Sequence, residues 1–277
     1  MFEITRVENF SPSTFLWEIN APEIAWAARP GQFVIVHCDE TSERIPLTIA
    51  DFDAVKGTIT IVIQAAGKGT MQMMEYKAGD RISAVAGPLG EPSEIENFGT
   101  VVLVGGGLGV APVYPILRAL KLKGCHTISI IGFRSKSLVF WESRFRDYSD
   151  ESIIVTDDGS YGEKALVTRP LKDLLMERQI NRVIAIGPLV MMRACAEVTR
   201  PFGVRTIVSV NPIMVDGTGM CGSCRVSLGD EVKFACIDGP DMDGHLVNFD
   251  ELLIRQKRFV KYEKQSLALH EKKKCPK

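Results

Sequence analysis

The sequence predicts an antiparallel β-barrel, then a doubly wound α/β sheet, and finally a small cysteine-containing segment. Three observations give this order. Short apolar runs separated by turn dipeptides fill the first hundred residues, strands alternate with helical patterns from Val101 onward, and three closely spaced cysteines follow the last of those strands. At 277 residues the chain is long enough for two domains and a small appendage.

The barrel is expected within residues 1–98. Dipeptides such as Pro30-Gly31 and Gly79-Asp80 separate its short apolar runs, as turns separate the strands of a meander. The strands are predicted at Phe33–Cys38, Leu47–Ala50, Thr58–Gln64 and Arg81–Ala86.

The α/β unit is expected within residues 99–211, because regular alternation of strands and helices predicts a parallel sheet. The strands are predicted at Val101–Val104, Thr127–Phe133, Ser152–Thr156, Arg182–Ile186 and Arg205–Val210. The helices between them are predicted at Ala111–Leu122, Val139–Tyr148, Val167–Glu177 and Val190–Arg200. Residues 212–248 form the cysteine segment, and residues 249–277 a charged helix and a tail that contains Cys275.

Composition argues against nucleic acid and membrane partners. The net charge is −1, so the chain has no basic field, and no run of 18 uninterrupted apolar residues could span a bilayer. The first residues lack the basic-then-apolar order of a signal peptide, and the odd count of seven cysteines fits a reducing compartment. We therefore expect a cytoplasmic protein in which Cys38, Cys125 and Cys195 are small buried apolar residues.

The cysteine segment carries the most specific motif. Plant-type ferredoxins hold a [2Fe–2S] cluster with the spacing C-x4-C-x2-C and a distant fourth cysteine. Here Asp216 takes the first position, and Cys221, Cys224 and Cys236 take the others. The spacing predicts a one-electron iron–sulfur centre. Structural zinc is the alternative, although zinc ribbons usually pair two CxxC knuckles. If Asp216 does not bind iron, water or a neighbouring residue would replace it.

Three strand ends in the α/β unit predict a dinucleotide site. A glycine turn lies between a strand and a helix, where Gly105, Gly106, Gly107 and Gly109 let the backbone approach a pyrophosphate. Asp157 and Asp158 follow the third strand, and Gly187 and Pro188 follow the fourth. Ligands bind across the carboxyl ends of parallel strands, so these three loops should line one crevice.

Asp157 and Asp158 bear on the choice of nucleotide. A carboxylate accepts hydrogen bonds from a ribose diol and repels a 2′-phosphate, so the pair favours NAD(H) over NADP(H). The alternative is that both side chains belong to a solvated turn. Arg134 would reverse the preference if it pointed into the site.

The barrel offers two candidate flavin contacts. In the R-x-P-L-T stretch, Arg44 would pair with a pyrophosphate and Thr48 would hydrogen-bond a flavin ring. In the G-x-G-T stretch, Gly67 and Gly69 would present amides to an anion ahead of a helix expected at Thr70–Tyr76. An ordinary strand end and turn are the alternatives.

Taken in order, these motifs, together with G-P-L-G at Gly87 to Gly90 and G-P-x-x-M-M from Gly187, resemble the ferredoxin-reductase-like flavoprotein superfamily. Within it, the chain resembles electron-transfer subunits with a C-terminal [2Fe–2S] segment, and most of all the small subunits of NADH-dependent reduced ferredoxin:NADP oxidoreductases, which carry out electron bifurcation. Sulfide dehydrogenase small subunits are almost indistinguishable from these by sequence.

The resemblance implies cofactors, partners and site residues. It implies FAD, NAD(H) and one [2Fe–2S] cluster, in a heterodimer with a larger flavoprotein that carries a second FAD and [4Fe–4S] clusters, with ferredoxin served indirectly. It places Arg44, Pro46, Leu47, Thr48, Gly67, Gly69 and Thr70 around FAD. It places Gly107, Gly109, Asp157, Asp158, Gly187 and Pro188 around NAD(H).

Two other functions stay open. Electron-transfer subunits of dihydroorotate dehydrogenase share this layout, but they normally keep four cysteines. Asp216 therefore favours a small subunit of the NADH-dependent reduced ferredoxin:NADP oxidoreductases. A scaffolding subunit with a zinc knuckle is the alternative from a different class. We find no Ser-His-Asp or paired-carboxylate pattern, so the chemistry is expected to come from cofactors rather than from catalytic side chains.

Overall fold

A computed structural model describes residues 1–274, with the side chains of residues 1–270. Cys275 and the rest of the predicted tail lie outside the described residues. The chain forms a curled antiparallel sheet, a mainly parallel sheet flanked by helices, and a short hairpin. These three units confirm the predicted fold class, and the boundaries at residues 98, 211 and 248 stay predictions.

The first sheet has seven antiparallel strands in the order β6-β1-β2-β5-β4-β3-β7. Only Ser83 separates β6 from β7, although they lie at opposite edges, so the sheet must curl round on itself. Its interior is a core that includes Trp17, Ile61 and Ile63, none of them exposed. The strands are β1 (Phe2–Ser11), β2 (Thr14–Asn20), β3 (Phe33–His37), β4 (Arg44–Asp53), β5 (Thr58–Gln64), β6 (Arg81–Ile82) and β7 (Ala84–Leu89).

The barrel differs from its prediction in two respects. The sequence analysis did not identify β1 and β2, in which charged and apolar residues mix, yet they pair with each other over most of their length. Two short helices belong to this unit, α1 (Pro22–Ala27) and α2 (Lys68–Met73). Helix α2 spans Lys68–Met73, whereas the sequence predicted Thr70–Tyr76. It starts earlier than predicted because the Gly67 carbonyl already accepts a hydrogen bond from the Met71 amide.

The second sheet has the order β11-β10-β9-β8-β12-β13-β16. All its pairs are parallel except the last. Its strands are β8 (Thr100–Gly106), β9 (His126–Phe133), β10 (Glu151–Thr156), β11 (Glu163–Lys164), β12 (Arg182–Ile186), β13 (Arg205–Ser209) and β16 (Asp241–Asp243). Its helices are α3 (Val110–Leu122), α4 (Glu142–Tyr148), α5 (Thr168–Glu177) and α6 (Leu189–Thr199). The predicted strands and helices are confirmed to within three residues at every end.

The cysteine segment packs onto both larger units. Its hairpin consists of β14 (Arg225–Leu228) and β15 (Glu231–Phe234), and its last strand, β16, extends the parallel sheet. Cys224, Cys236 and Val226 share a core cluster with Phe33 and Ile35 of β3. Two helices follow, α7 (Phe249–Gln256) and α8 (Val260–Lys274), and Asn248 caps the first by accepting a hydrogen bond from the Glu251 amide.

Candidate functional site

The candidate nucleotide crevice lies where the strand order reverses. The chain passes from β8 outward to β9 and β10, then crosses back to β12 on the other side of β8. At such a switch point the loops after the two central strands diverge and leave a cleft at the carboxyl ends of the strands. Gly105 and Ile186 lie opposite each other there, in register across β8 and β12.

Gly109 lets the glycine turn lie against the end of β12. A β-carbon at Gly109 would lie 2.2 Å from the Ile186 carbonyl oxygen, so only glycine permits this approach of the two backbones. Gly107 has a φ of +55° and open space around it. Gly187 packs against the Gly106 carbonyl and the Met191 side chain. Gly109 thus lies beside Gly187, with Gly107 in the same turn and Pro188 directly after Gly187, and their contact with a nucleotide stays a prediction.

Asp157 and Asp158 follow β10 on the same edge of the sheet, and they differ in their contacts. Asp158 accepts hydrogen bonds from the amide and the hydroxyl of Ser160, at 2.9 and 2.6 Å. These bonds lower the pKa of the Asp158 carboxyl, the hydroxyl having the larger effect. Asp158 thus forms a turn within its own loop. Asp157 is exposed beside it, and β10 is separated from β8 by β9.

The R-x-P-L-T stretch opens β4, and alternation divides its residues between two faces. Arg44, Pro46 and Thr48 share one face, in register with His37, Ile35 and Phe33 of β3. Leu47 points to the other face and packs against the barrel core. The structure therefore places the Leu47 side chain on the opposite face of β4 from Arg44, Pro46 and Thr48. Only the Leu47 backbone lies beside those three residues.

The G-x-G-T stretch lies beside the start of β4. A β-carbon at Gly69 would lie 2.5 Å from a Glu43 carboxylate oxygen and 2.9 Å from Ile45 Cδ1, so α2 packs directly on this strand. The Thr70 hydroxyl accepts hydrogen bonds from the amides of Ala66 and Gly67, both at 3.0 Å. The Gly67 amide thus donates within its own loop, and a place for Gly67 and Gly69 beside a cofactor stays a prediction.

The four candidate cluster ligands fall into two pairs. The sulfur atoms of Cys224 and Cys236 lie 3.2 Å apart, and both residues are buried. Asp216 accepts hydrogen bonds from the amides of Thr218, at 2.8 Å, and Cys221, at 2.7 Å. Cys221 is exposed. Gly217 and Gly219, between Asp216 and Cys221, and Gly222, between Cys221 and Cys224, turn the loop with positive φ.

The charge state of each pair follows from its surroundings. Burial, followed by the neighbouring Cys224, raises the pKa of the Cys236 thiol. Hydrogen bonds from Ser223 lower the pKa of Cys221, and the Thr218 amide is the main cause of the lowered pKa of Asp216. The loop thus favours anionic Asp216 and Cys221 at the surface, and a bound metal would deprotonate the inner cysteines.

This donor set fits a binuclear cluster better than a single ion. Among the side chains of residues 1–270, no three His, Cys, Asp or Glu groups are arranged around one metal ion. A [2Fe–2S] cluster takes four protein ligands for two irons, and two separated pairs match that requirement. The zinc alternative needs all four ligands around one point and is less consistent with this geometry.

The loop that carries the candidate cluster ligands lies against the outer face of the barrel, beside β4. A β-carbon at Gly217 would lie 2.6 Å from Ile35 Cδ1 and 2.9 Å from Leu89 Cδ1. Ile35 is in register with Pro46 across β3 and β4, so the two side chains lie on the same face of the sheet. The sequence analysis missed Ile35 and Leu89 because nothing in an apolar strand marks which residue will meet a distant loop.

Comparison with known proteins places the chain in a family. Residues 211–248 match the family model of the iron–sulfur cluster binding domain of dihydroorotate dehydrogenase B. A Thermotoga maritima homologue of that enzyme's NAD(+)-dependent electron transfer subunit is 45% identical over 98% of this chain and 94% of its own length. The corresponding subunit from Desulforamulus reducens is 32% identical, over 86% and 94%. The chain belongs to the family of dihydroorotate dehydrogenase B electron transfer subunits.

A solved structure of high similarity extends this assignment. Its study concerns flavin-based electron bifurcation by the NADH-dependent reduced ferredoxin-NADP oxidoreductase; the TM-score is 0.92, with 44% identity and 96% of each chain covered. The predicted resemblance is thereby confirmed. An Amycolatopsis cytochrome P450 reductase, at 18% identity with a TM-score of 0.61 over 73% of this chain and 65% of its own, shares the fold alone.

The family also agrees with the predicted cofactors. FAD, a [2Fe–2S] cluster and NAD(H) are confirmed at the level of the family and fold, and the chain is an electron-transfer subunit of the flavin and iron–sulfur oxidoreductase type. Across residues 1–274, no helix is both long enough and apolar enough to cross a membrane.

Proposed function

We propose that this chain is the small subunit of an NADH-dependent reduced ferredoxin:NADP oxidoreductase. In it, hydride passes between NAD(H) and FAD, and single electrons leave through the [2Fe–2S] cluster to a larger subunit that carries FAD and [4Fe–4S] clusters, with ferredoxin served indirectly. The observation that carries the proposal is the common face shared by the R-x-P-L-T strand and the cluster loop, joined through Ile35.

The protein supplies placement for this chemistry. When bound, FAD accepts an electron pair as hydride and releases single electrons, which the cluster can carry. We assign the flavin to the face of β4 that carries Arg44, Pro46 and Thr48, with Leu47, Gly67, Gly69 and Thr70 along its border. Arg44 supplies a cation for the pyrophosphate, and the Thr48 hydroxyl is a hydrogen-bonding group for the ring.

The nucleotide is assigned to the crevice between β8 and β12. Gly107 and Gly109 admit its pyrophosphate close to the backbone, and Gly187 and Pro188 form the opposite wall. Asp157 is the proposed acceptor for the ribose diol, and Asp158 shapes the loop that presents it. No side chain needs to act as acid or base at the nicotinamide, because hydride transfer depends on alignment.

Asp216, Cys221, Cys224 and Cys236 are the proposed cluster ligands. The two buried cysteines would hold one iron, and the surface pair, Asp216 and Cys221, the other. A carboxylate is a harder ligand than a thiolate, so iron at the Asp216 side should be the more labile. The Asp216 pair also lies at the surface, where a partner subunit can approach.

The second candidate function is the electron transfer subunit of a dihydroorotate dehydrogenase. The names of several relatives at 32–35% identity favour it. Against it stands Asp216, where the cluster pattern of that group has its first cysteine. A sulfide dehydrogenase small subunit is the other alternative function.

Anaerobic purification together with whichever protein binds this chain tests the proposal. The purified complex should contain flavin, iron and sulfide, and NADH should bleach its flavin. It should then reduce NADP⁺ in a reaction that consumes NADH and reduced ferredoxin together. Turnover of dihydroorotate by the same complex would instead establish the second candidate, and colourless protein with stoichiometric zinc would exclude both.

Arg44→Ala tests the flavin assignment separately. Losing the cation should weaken FAD binding by about tenfold or more, because charge-assisted pairs contribute about 1.5–3 kcal/mol. Arg81→Ala is the matched control, since Arg81 is also exposed but lies on β6, at the far edge of the same sheet. Equal FAD affinity in the two variants would refute the assignment.

A further inference from the structure

Asp241 is a buried acidic residue that the proposed electron transfer does not use. It opens β16, where it is in register with Ser209 at the carboxyl end of β13. One carboxyl oxygen, Oδ2, lies 2.5 Å from the Ser93 hydroxyl. The other, Oδ1, is inaccessible to solvent and has no hydrogen-bond partner. The residue as a whole keeps some exposed surface, but the carboxyl group is enclosed by protein.

This carboxyl group stands where three parts of the chain meet. Ser93 belongs to the connection between the barrel and the parallel sheet, and its amide donates to the Pro30 carbonyl, 2.8 Å away, just before β3. Ser209 belongs to the nucleotide sheet, and Asp241 itself to the cluster segment. The same junction includes a hydrogen bond of 2.7 Å from the Glu91 amide to the Gly239 carbonyl. Asp241 therefore ties the cluster segment to both larger units.

The surroundings of Asp241 disfavour its charge. Burial raises the pKa of the carboxyl, and hydrogen bonds from Ser93 and Ser209 oppose that rise only in part. An enclosed carboxylate without a cation is far more costly than a neutral acid, which needs only hydrogen bonds. The charged side chains on the elements around it are Arg29, Glu91, Glu94, Glu96, Arg205 and Asp243, of which Glu96 is exposed.

Those charged groups do not neutralise Asp241. Glu94 pairs with Arg182 at 2.8 Å and with Arg205 at 3.6 Å. Asp243 accepts a hydrogen bond from the His245 amide. Arg29 and Glu91 are exposed. The hydrogen-bond partners of the Asp241 carboxyl in the described structure are hydroxyl groups, which carry no charge that could balance a carboxylate.

We propose that Asp241 is a positioning residue that, as a neutral carboxylic acid, holds the cluster segment in place against the barrel and the nucleotide sheet. Its hydrogen bonds fix the far end of the segment whose near end packs on Ile35. The separation of the cluster loop from the flavin strand is then set at two points, the Ile35 contact and the Asp241 junction. The effect of Asp241 on electron transfer rests on the proposed function. The charge state of Asp241 does not depend on that function.

The pH dependence of stability tests the charge state. For an acid whose pKa is higher in the folded state, the stabilisation is fully present below the unfolded pKa, about 3.9, and is lost as pH rises through the folded pKa. Asp241→Asn keeps the shape without the titration. The unfolding constants of the purified protein and this variant should diverge by up to about tenfold per pH unit above pH 4, in favour of the variant.

Asp230→Asn is the matched control, because Asp230 is an exposed acid in the same segment. It should follow the unmodified protein at every pH. Parallel stability curves for Asp241→Asn and the unmodified protein would overturn the neutral acid. This comparison needs no electron transfer, so it decides the charge state even if the proposed function fails.

Rapid mixing with NADH tests the positioning role. In Asp241→Ala, which loses both hydrogen bonds, flavin reduction should keep its rate while cluster reduction becomes slower. Ser93→Ala should change in the same direction, and Asp241→Asn should keep the original rate of cluster reduction. A folded Asp241→Ala variant that reduces its cluster as fast as the unmodified protein would overturn the positioning role.

Discussion

Ile35 lies so close to Gly217 that a β-carbon on this glycine would come within 2.6 Å of Ile35 Cδ1. The contact joins β3 to the loop between Asp216 and Cys221. Ile35 is also in register with Pro46, so the side chain that meets the cluster loop lies beside the strand assigned to the flavin. A close contact of this kind resists both approach and separation, because protein interiors are packed as densely as organic crystals.

Gly217→Ala should disturb this contact. The residue has a φ of +73° and no room for a methyl group, so the variant combines backbone strain with overpacking. Gly203→Ala is the control, because its φ of +64° carries the same strain while its surroundings are open. We expect Gly217→Ala to be less stable than the control by about 1–3 kcal/mol and to bind less iron and sulfide. Equal stability and equal iron content would contradict the packing argument.

Cys221 should be the cysteine that metal removal uncovers. It is exposed, whereas Cys38, Cys125 and Cys195 are buried, as the sequence predicted. In anaerobic holoprotein, iodoacetamide should leave Cys221 unmodified, because its sulfur is bound to iron. After chelation of iron, Cys221 should be alkylated before the buried cysteines, as mass spectrometry of peptides would show. Rapid alkylation of Cys221 in protein with a full complement of iron would remove it from the ligand set.

Gly109→Ala should weaken nucleotide binding. Its methyl group would collide with the Ile186 carbonyl oxygen and move the turn away from β12. Displacements of about 1 Å at a binding site can cost up to about a hundredfold in rate, so flavin reduction at low NADH concentration should fall by about ten- to a hundredfold. Gly203→Ala is the control, because its β-carbon meets open space and Gly203 precedes β13, at the opposite end of the strands from the crevice. Equal losses in Gly109→Ala and Gly203→Ala would show that the approach to β12 is unimportant.

Asp157 and Asp158 should affect nucleotide choice unequally. Asp157→Asn should raise the preference for NADPH relative to NADH by about tenfold, since about 1.4 kcal/mol corresponds to one order of magnitude. Asp158→Asn should change that ratio less, because its carboxylate is already occupied by Ser160. Stopped-flow reduction of the flavin by each nucleotide measures both ratios. The reverse order would assign recognition to Asp158.

The sequence predicted the arrangement at the carboxyl ends of the parallel strands more completely than the arrangement on β4. The carboxyl ends of parallel strands lie at one edge of a sheet, so the spacing of Gly107, Gly109 and Gly187 alone predicts that they lie close together there. Alternation separates Leu47 from Thr48, but the sequence does not show which of the two faces of β4 packs against the barrel core. Asp241 carries no motif at all, and its burial arises from three segments distant in sequence.

The ion pairs of Asp51 should hold the barrel in a fixed orientation to the nucleotide sheet. Asp51 lies on β4, and its carboxylate binds Arg118 of α3 at 2.7 Å and Arg144 of α4 at 3.2 Å. All three side chains are at least two-thirds buried, so the interaction is less screened than a surface pair. Removing the carboxylate would also leave two arginines facing each other without a counter-charge.

Asp51→Asn should therefore destabilise the protein by about 1–3 kcal/mol, the usual cost of leaving a partly buried charge without its partner. It should also slow flavin reduction by NADH, because the crevice and the flavin strand lie on the two units that Asp51 joins. Asp147→Asn, at an exposed position on α4, is the control and should change neither quantity. Thermal unfolding and stopped-flow reduction measure the two effects. A destabilised variant with an unchanged reduction rate would show that these ion pairs support the fold but do not align the two sites.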